Sequence, residues 1–258
     1  MLKPFGKLTP APLSFAVGDP HFLGFDGESF DFMGEPNRYY NLLSDSEVQV
    51  NGYFVYWATS GADNFTAIEE LGILVRGHRI RITPTAATIN GREIPQAARR
   101  RRVGGSIASI ERFDRLDQGL PEHMRMDIDF GDFVRGYHIK TRRGYEFVVI
   151  VSTDNFNPPY LNLVSRMNRR LWPHGVIGQT ADHDGVARVA HGQDGEGIIE
   201  GTYRDYEVAS LWAIHFKFNK YRPGEWRRPA FDRLRECLFE RMSAATRRLI
   251  IGASTSQP

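Results

Sequence analysis

Three glycine-rich segments of the 258-residue chain hold most of the side chains that could do chemistry. The first, Gly18–Gly27, carries Asp19, His21 and Asp26 and is followed by Asp31 and Glu35. The second, Trp172–Gly185, carries His174, Gln179, Asp182, His183 and Asp184. The third, His191–Val208, adds His191, Asp194, Glu196, Glu200, Asp205 and Glu207. His183 beside Asp184 has the make-up of a hydrolase general-base pair, and His174, His183, Asp184 and His191 are all types that bind zinc. The spacing argues against both. Histidines nine and eight residues apart on loops have no metal geometry of their own, and no His-x-x-x-His helix, nucleophile elbow or phosphate loop accompanies them. A structural strand-end role for His174 and solvated positions for the other histidines are the plainer reading. Asp19 and His21 form a second acid–base pair, but Pro20 between them favours a structural place at a strand start. An EF-hand loop around Asp182-x-Asp184 fails, because Gly185 and Val186 break the ligand spacing.

The elements that must position these residues are mostly strands. Alternation of period two runs through Val48-x-Val50, through Tyr53-x-Val55-x-Trp57, and through Met124-x-Met126-x-Ile128-x-Phe130. Ile80 and Ile82 share one face of Arg79–Thr83. Tyr145–Val151 is a near-continuous apolar run that suits a strand buried on both faces. Asn90-Gly91 is a two-residue hairpin signal, with Gly131-Asp132 and Arg143-Gly144 as weaker versions. Short strands at regular turn spacing from Phe22 to about Phe218 predict a mainly β protein, an antiparallel sandwich or barrel.

After Pro229 the period changes. Phe231, Leu234, Leu238, Met242, Ala245 and Leu249 recur at intervals of three and four, one apolar stripe on a helix of about six turns. Packing on the sheet is the plainer use of this stripe; a partner contact through Phe231, Leu234, Leu238 and Met242 is the alternative. Tyr221–Glu225 is the expected linker, and Cys237 beside the stripe is expected to be a buried, inert thiol.

Composition bounds the function. Lysine and arginine number 33 against 31 acidic residues, so net charge makes no case for nucleic acid or an anionic membrane. No apolar run approaches membrane-span length. A single cysteine rules out an intrachain disulfide framework and a cysteine-based zinc site. Met1–Val17 has no clear export signal, and the sequon Asn64-Phe65-Thr66 matters only on an exported chain. Arg99–Arg102 is expected to be an exposed loop; binding of phosphate or acidic polymer, a localisation address and a processing site are its alternatives.

Gly18-Asp19-Pro20-His21-Phe22, Phe25-Asp26-Gly27 and Phe30-Asp31-Phe32-x-Gly34-Glu35 together resemble the opening of a von Willebrand factor type D domain. Ile89-Asn90-Gly91 with Ile94-Pro95 is similar to that family's central hairpin, and Gly175-Val176-Ile177-Gly178-Gln179 to its Gly-Leu-Cys-Gly-Asn segment. Leu42–Asp45, His174–Thr180 and Asp205–Val208 resemble a cysteine-poor branch seen in plant root-cap and late-embryogenesis-like proteins. The His-Gly-x-x-Gly-Gln segment is also similar to one in the C-terminal region of inter-α-trypsin inhibitor heavy chains. The resemblance spans about 18–221 and implies a type-D-like antiparallel β-sandwich there; it leaves out the extension at 1–17, the amphipathic helix at 222–252, which rests on periodicity, and the flexible tail at 253–258. It further implies a non-enzymatic structural or adhesive module that binds protein partners or self-assembles, secreted or at the cell surface. The lone cysteine weighs against that compartment, because such a chain could fold in a reducing one. A calcium- or glycan-binding module is the alternative. The family's calcium ligands fall on Asp26 and Gln179, with Asp182 and Asp184 close by, while Ala181 stands at a position where the family has a further ligand.

Overall fold

The computed structural model describes residues 12–18, 21–58, 64–96, 98–114, 135–153, 158–182, 188–189 and 195–225. Among them are fifteen strands: β1 (Leu13–Val17), β2 (His21–Leu23), β3 (Ser29–Asp31), β4 (Arg38–Ser44), β5 (Val48–Ala58), β6 (Asn64–Val75), β7 (His78–Ile82) and β8 (Ala87–Ile89). There follow β9 (Arg92–Glu93), β10 (Arg100–Val103), β11 (Ala108–Phe113), β12 (Arg135–Thr141), β13 (Tyr145–Ser152), β14 (Tyr160–Met167) and β15 (Glu207–Val208). Every pairing between them is antiparallel, and they form one branched sheet with the main order β10-β11-β12-β13-β14-β6-β5-β4-β15. The branches leave from β14, which also pairs with β1, and from β6, which also pairs with β7. The mainly antiparallel β expectation therefore holds.

Local chemistry explains the hairpins. Asn90 and Gly91 both take positive φ, 50° and 79°, as the turn between β8 and β9 requires. The Asn90 carboxamide also accepts the Arg79 N–H at 2.9 Å, tying the turn to β7. Ile80 and Ile82 are both fully buried on one face of β7. β13 is apolar on both faces: Tyr145, Phe147, Val149 and Val151 join the main core, while Val148 and Ile150 join a smaller cluster with Phe113 and Val164. On β5 the period holds: Val48, Val50 and Phe54 share the core face, and Tyr53, Val55 and Trp57 lie on the other, half-buried. The phase changes on β6, where a bulge opposes Tyr53 to Glu70 and Phe54 to Ile68, so the core face passes from Ile68 to Leu71.

Aromatic rings cluster in the core where β2 and β3 meet β4 and β5. Phe22 stacks on Phe30 at 5.5 Å, and Phe32 meets Tyr40 and Phe54 edge-on at 5.3 and 5.9 Å. Each such ring contributes about 1.5–3 kcal/mol of burial.

Four expectations need revision or fall elsewhere. Arg100–Val103 is not a loop but β10, paired with β11 from Arg100↔Glu111 to Val103↔Ala108; a run of like charges hides the alternation that marks a strand. Leu13–Val17, read as part of the N-terminal extension, form β1 and pair with β14. Beyond Met167, strand and turn give way to irregular chain in which β15 is the one described strand. Tyr221, read as the start of a linker, is buried, and its hydroxyl accepts the Gly77 N–H at 2.8 Å. The Met124–Phe130 strand, the helix with Phe231, Leu234, Leu238, Met242 and Cys237, and the tail lie outside the described residues. No helix among the described residues is long and apolar enough to cross a membrane.

Polar side chains of the sheet hold the irregular chain down. Gln49 and Asn51 alternate with the core residues Val48 and Val50, so they face away from the core. Gln49 donates to the Ala213 carbonyl at 2.6 Å, and Asn51 to the Leu211 and Ala213 carbonyls at 3.0 Å each. Gly72 permits the approach: a Cβ there would stand 2.9 Å from the Leu211 carbonyl oxygen. The Ser44 hydroxyl accepts the Lys220 and Tyr221 N–H groups.

Candidate functional site

The His-Gly-x-x-Gly-Gln segment docks on β4. Ser44 and His174 exchange main-chain hydrogen bonds at 2.6 and 2.8 Å, and the Asn41 and Leu42 carbonyls accept the Val176 and Ile177 N–H groups at 3.1 and 2.9 Å. β4 bulges between Asn41 and Leu43, which opens its ladder where the segment arrives. Gly175 is needed at the crossing: its φ is 101°, and a Cβ would lie 2.7 Å from the Leu42 carbonyl oxygen. The chain then tightens into one 3-10 turn, Gly178–Thr180.

Gln179 closes that turn against the third glycine-rich segment. Its carboxamide donates to the Gly175 carbonyl and to the Tyr206 hydroxyl, each at 2.9 Å, and accepts the Glu200 N–H at 2.6 Å. Tyr206 in turn donates to the Glu200 carbonyl at 2.7 Å, and burial pushes its phenol well above the ordinary range. His174 lies in a stack with Phe218 at 4.7 Å and Tyr206 at 6.0 Å. Its Nδ1 accepts the Gly175 N–H at 2.8 Å, which leaves Nε2 as the protonated nitrogen, facing the Glu200 carboxylate at 3.3 Å. Burial lowers the His174 pKa and Lys220 adds to that, with Glu200 opposing. Asp205 caps the turn Tyr203–Tyr206 through the Thr202 N–H at 2.9 Å and pairs with Lys217 at 3.2 Å. The Thr202 N–H is the main reason its carboxyl sits below the usual value.

The Phe-Asp-Gly turn packs on the other side of Gly178–Thr180. The Thr180 hydroxyl accepts the Phe25 N–H at 2.8 Å and donates to the Ile177 carbonyl at 2.7 Å. Glu28 folds back under this turn, 1% exposed, and accepts the Asp26 N–H at 3.2 Å. Burial raises the Glu28 pKa; two main-chain donors oppose the shift, and the charges of Asp26 and Asp182 reinforce it. Asp182 is half-exposed, with an Arg188 guanidinium nitrogen 3.7 Å away.

The structure thus brings Asp26 and Asp182 to one loop end, together with Glu28, which sequence reasoning missed. Gln179 is adjacent in the chain, but its carbonyl oxygen is engaged by the Glu200 N–H. Asp184 and His183 lie outside the described residues, as do His191 and Asp19. Among the described residues no three acidic or histidine side chains converge as a metal-holding group. The oxygen set as it stands is short of the six to eight that calcium takes. His21, paired with Asp19 in the sequence reading, meets Asp31 across the β2–β3 ladder instead, at 2.5 Å and in the open. No protein-family model matches the chain, and no curated protein matches it.

Proposed function

We propose that the chain is a non-enzymatic structural module of type-D-like β-sandwich architecture that assembles through protein surfaces. The observation that carries this reading is the use made of Gln179 and its neighbours. The Gln179 carboxamide ties the Gly175 carbonyl, the Tyr206 hydroxyl and the Glu200 N–H together, and His174, Tyr206 and Asp205 each hold a main-chain group, with Glu200 and Lys217 as side-chain partners of His174 and Asp205. These are groups that position backbone, with pKa values moved by burial or capping rather than poised for proton transfer. The surface we assign to assembly is the apolar stripe of Phe231, Leu234, Leu238 and Met242, which begins soon after the chain is anchored at Tyr221 and Arg222. Sedimentation of the full chain with and without charges in that stripe tests the assignment.

A calcium site is the second reading, favoured by the shared loop end of Asp26, Glu28 and Asp182. A divalent cation there would relieve the repulsion by Asp26 and Asp182 that adds to burial in raising the Glu28 pKa. Calorimetry with calcium on the wild type and on Asp26→Ala tests it: heat and a thermal shift in the wild type alone support the site, and neither in the wild type removes it.

A further inference from the structure

β10 forms one margin of the main sheet path; among the described residues it pairs with β11 alone. Its sequence is Arg100-Arg101-Arg102-Val103, preceded by Arg99, and all four arginines are exposed. The register sorts them. Val103 is fully buried opposite Ala108, and Arg101 stands opposite the buried Ile110, so these two are on the core side. Arg100 and Arg102, opposite Glu111 and Ser109, share the outer side. Two residues apart on a strand is about 6.6 Å, the repeat of alternate side chains on any chain that added itself to this edge. Among the described residues no ion pair joins Arg99, Arg100, Arg101 or Arg102 to a carboxylate, whereas the neighbouring Arg112 is held by Asp114 at 2.7 Å. Among the described residues, the sheet margin therefore combines an open main-chain ladder with a dense positive charge that Glu111, opposite Arg100, matches only in part.

We propose that β10 is a docking strand for an extended acidic segment of a partner polypeptide, which adds to the sheet beside Arg100–Val103 with its carboxylates opposite the arginines. The open ladder supplies main-chain hydrogen bonds, and the charges set which chain binds and how fast it arrives. A folded polyanion such as duplex nucleic acid meets the charge but cannot use the ladder. An uncharged strand uses the ladder but leaves the guanidiniums unmatched, and this guards the edge against indiscriminate pairing.

The test is fluorescence anisotropy of a labelled Glu-Val-Glu-Val-Glu-Val peptide with the full-length protein, alongside the same peptide with a central proline and a sulfated oligosaccharide. Saturable binding is expected for the first peptide. It should weaken about tenfold or more on Arg100→Glu with Arg102→Glu, and again as salt shortens the Debye length to about 3 Å near 1 M. Proline should abolish it, because it removes a ladder donor. The double variant is checked by far-UV circular dichroism and melting; if it does not fold, Arg100→Gln with Arg102→Gln replaces it. Absence of binding overturns the proposal and leaves the arginines as edge guards alone. Equal binding of the proline peptide, or binding of the sulfated oligosaccharide alone, overturns it in favour of a ladder-independent polyanion surface.

Discussion

The Arg143 guanidinium sits 3.1 Å from the Asp45 carboxylate, and the Tyr145 hydroxyl donates to the same carboxylate at 2.9 Å. Asp45 follows β4 and Arg143 lies in the turn between β12 and β13, so this one acid joins two distant parts of the sheet. Tyr145 is fully buried, and burial with the Asp45 charge raises its phenol well above the usual value. Asp45→Ala leaves the phenol and a mostly covered guanidinium without their acceptor. A loss of about 2–4 kcal/mol is expected in urea unfolding, below the full figure for a buried pair because Arg143 keeps some solvent. A loss under about 1 kcal/mol would show that water replaces the carboxylate.

Gly175→Ala tests the docking of the His174 segment on β4. The added methyl group meets the Leu42 carbonyl in a left-handed backbone, so the segment must lift. Destabilisation by about 2 kcal/mol or more is expected, with faster exchange of the Val176 and Ile177 amides. Unchanged exchange would mean that the crossing tolerates a side chain.

His174 makes stability fall in mild acid. Its folded pKa lies below the ordinary 6.5, so the unfolded chain takes the proton first. The contribution is complete above pH 6.5 and is lost as the pH drops toward the lowered value. His174→Phe keeps an aromatic ring in the stack and should flatten the stability profile in that window. A profile of the same slope would assign the acid sensitivity to another group.

Glu28 acts in the opposite direction. Its folded pKa is raised above 4.5, so its ionisation works against the fold at neutral pH and ceases to do so in acid. Glu28→Gln, which keeps an acceptor for the Asp26 N–H, should raise the melting temperature at pH 7, and the gain should vanish near pH 4.5 or below. A gain that persists in acid would point to packing rather than charge.

Much of the fold is legible because its signals are local. Asn90-Gly91 demands positive φ wherever it stands, and Ile80 with Ile82 or the Tyr145–Val151 run declare their faces without reference to the rest of the chain. What fails is long-range or masked by charge. Nothing near Asp45 announces Arg143, and nothing near Thr180 announces Phe25, its partner 155 residues away. β10 hides behind four arginines because a strand at a sheet edge needs apolar residues on only part of one face. Ile68 and Leu71 of β6 share the core although they are three residues apart, because the bulge opposite Tyr53 and Phe54 inserts one residue between them. Of the candidate site, Asp26 stands out through the family resemblance and Asp182 as a neighbour of its second loop, while Glu28 does not, since a buried acid held by local main-chain N–H groups leaves no pattern.

Sedimentation velocity of the full-length chain over a range of concentrations tests the central claim most directly. The account predicts a concentration-dependent assembly that Leu234→Asp with Leu238→Asp reduces to a monomer with an unchanged β-type circular dichroism spectrum and melting temperature. A chain that is monomeric at every concentration, with a double variant that melts far earlier, would contradict it and assign the apolar stripe to the chain's own sheet.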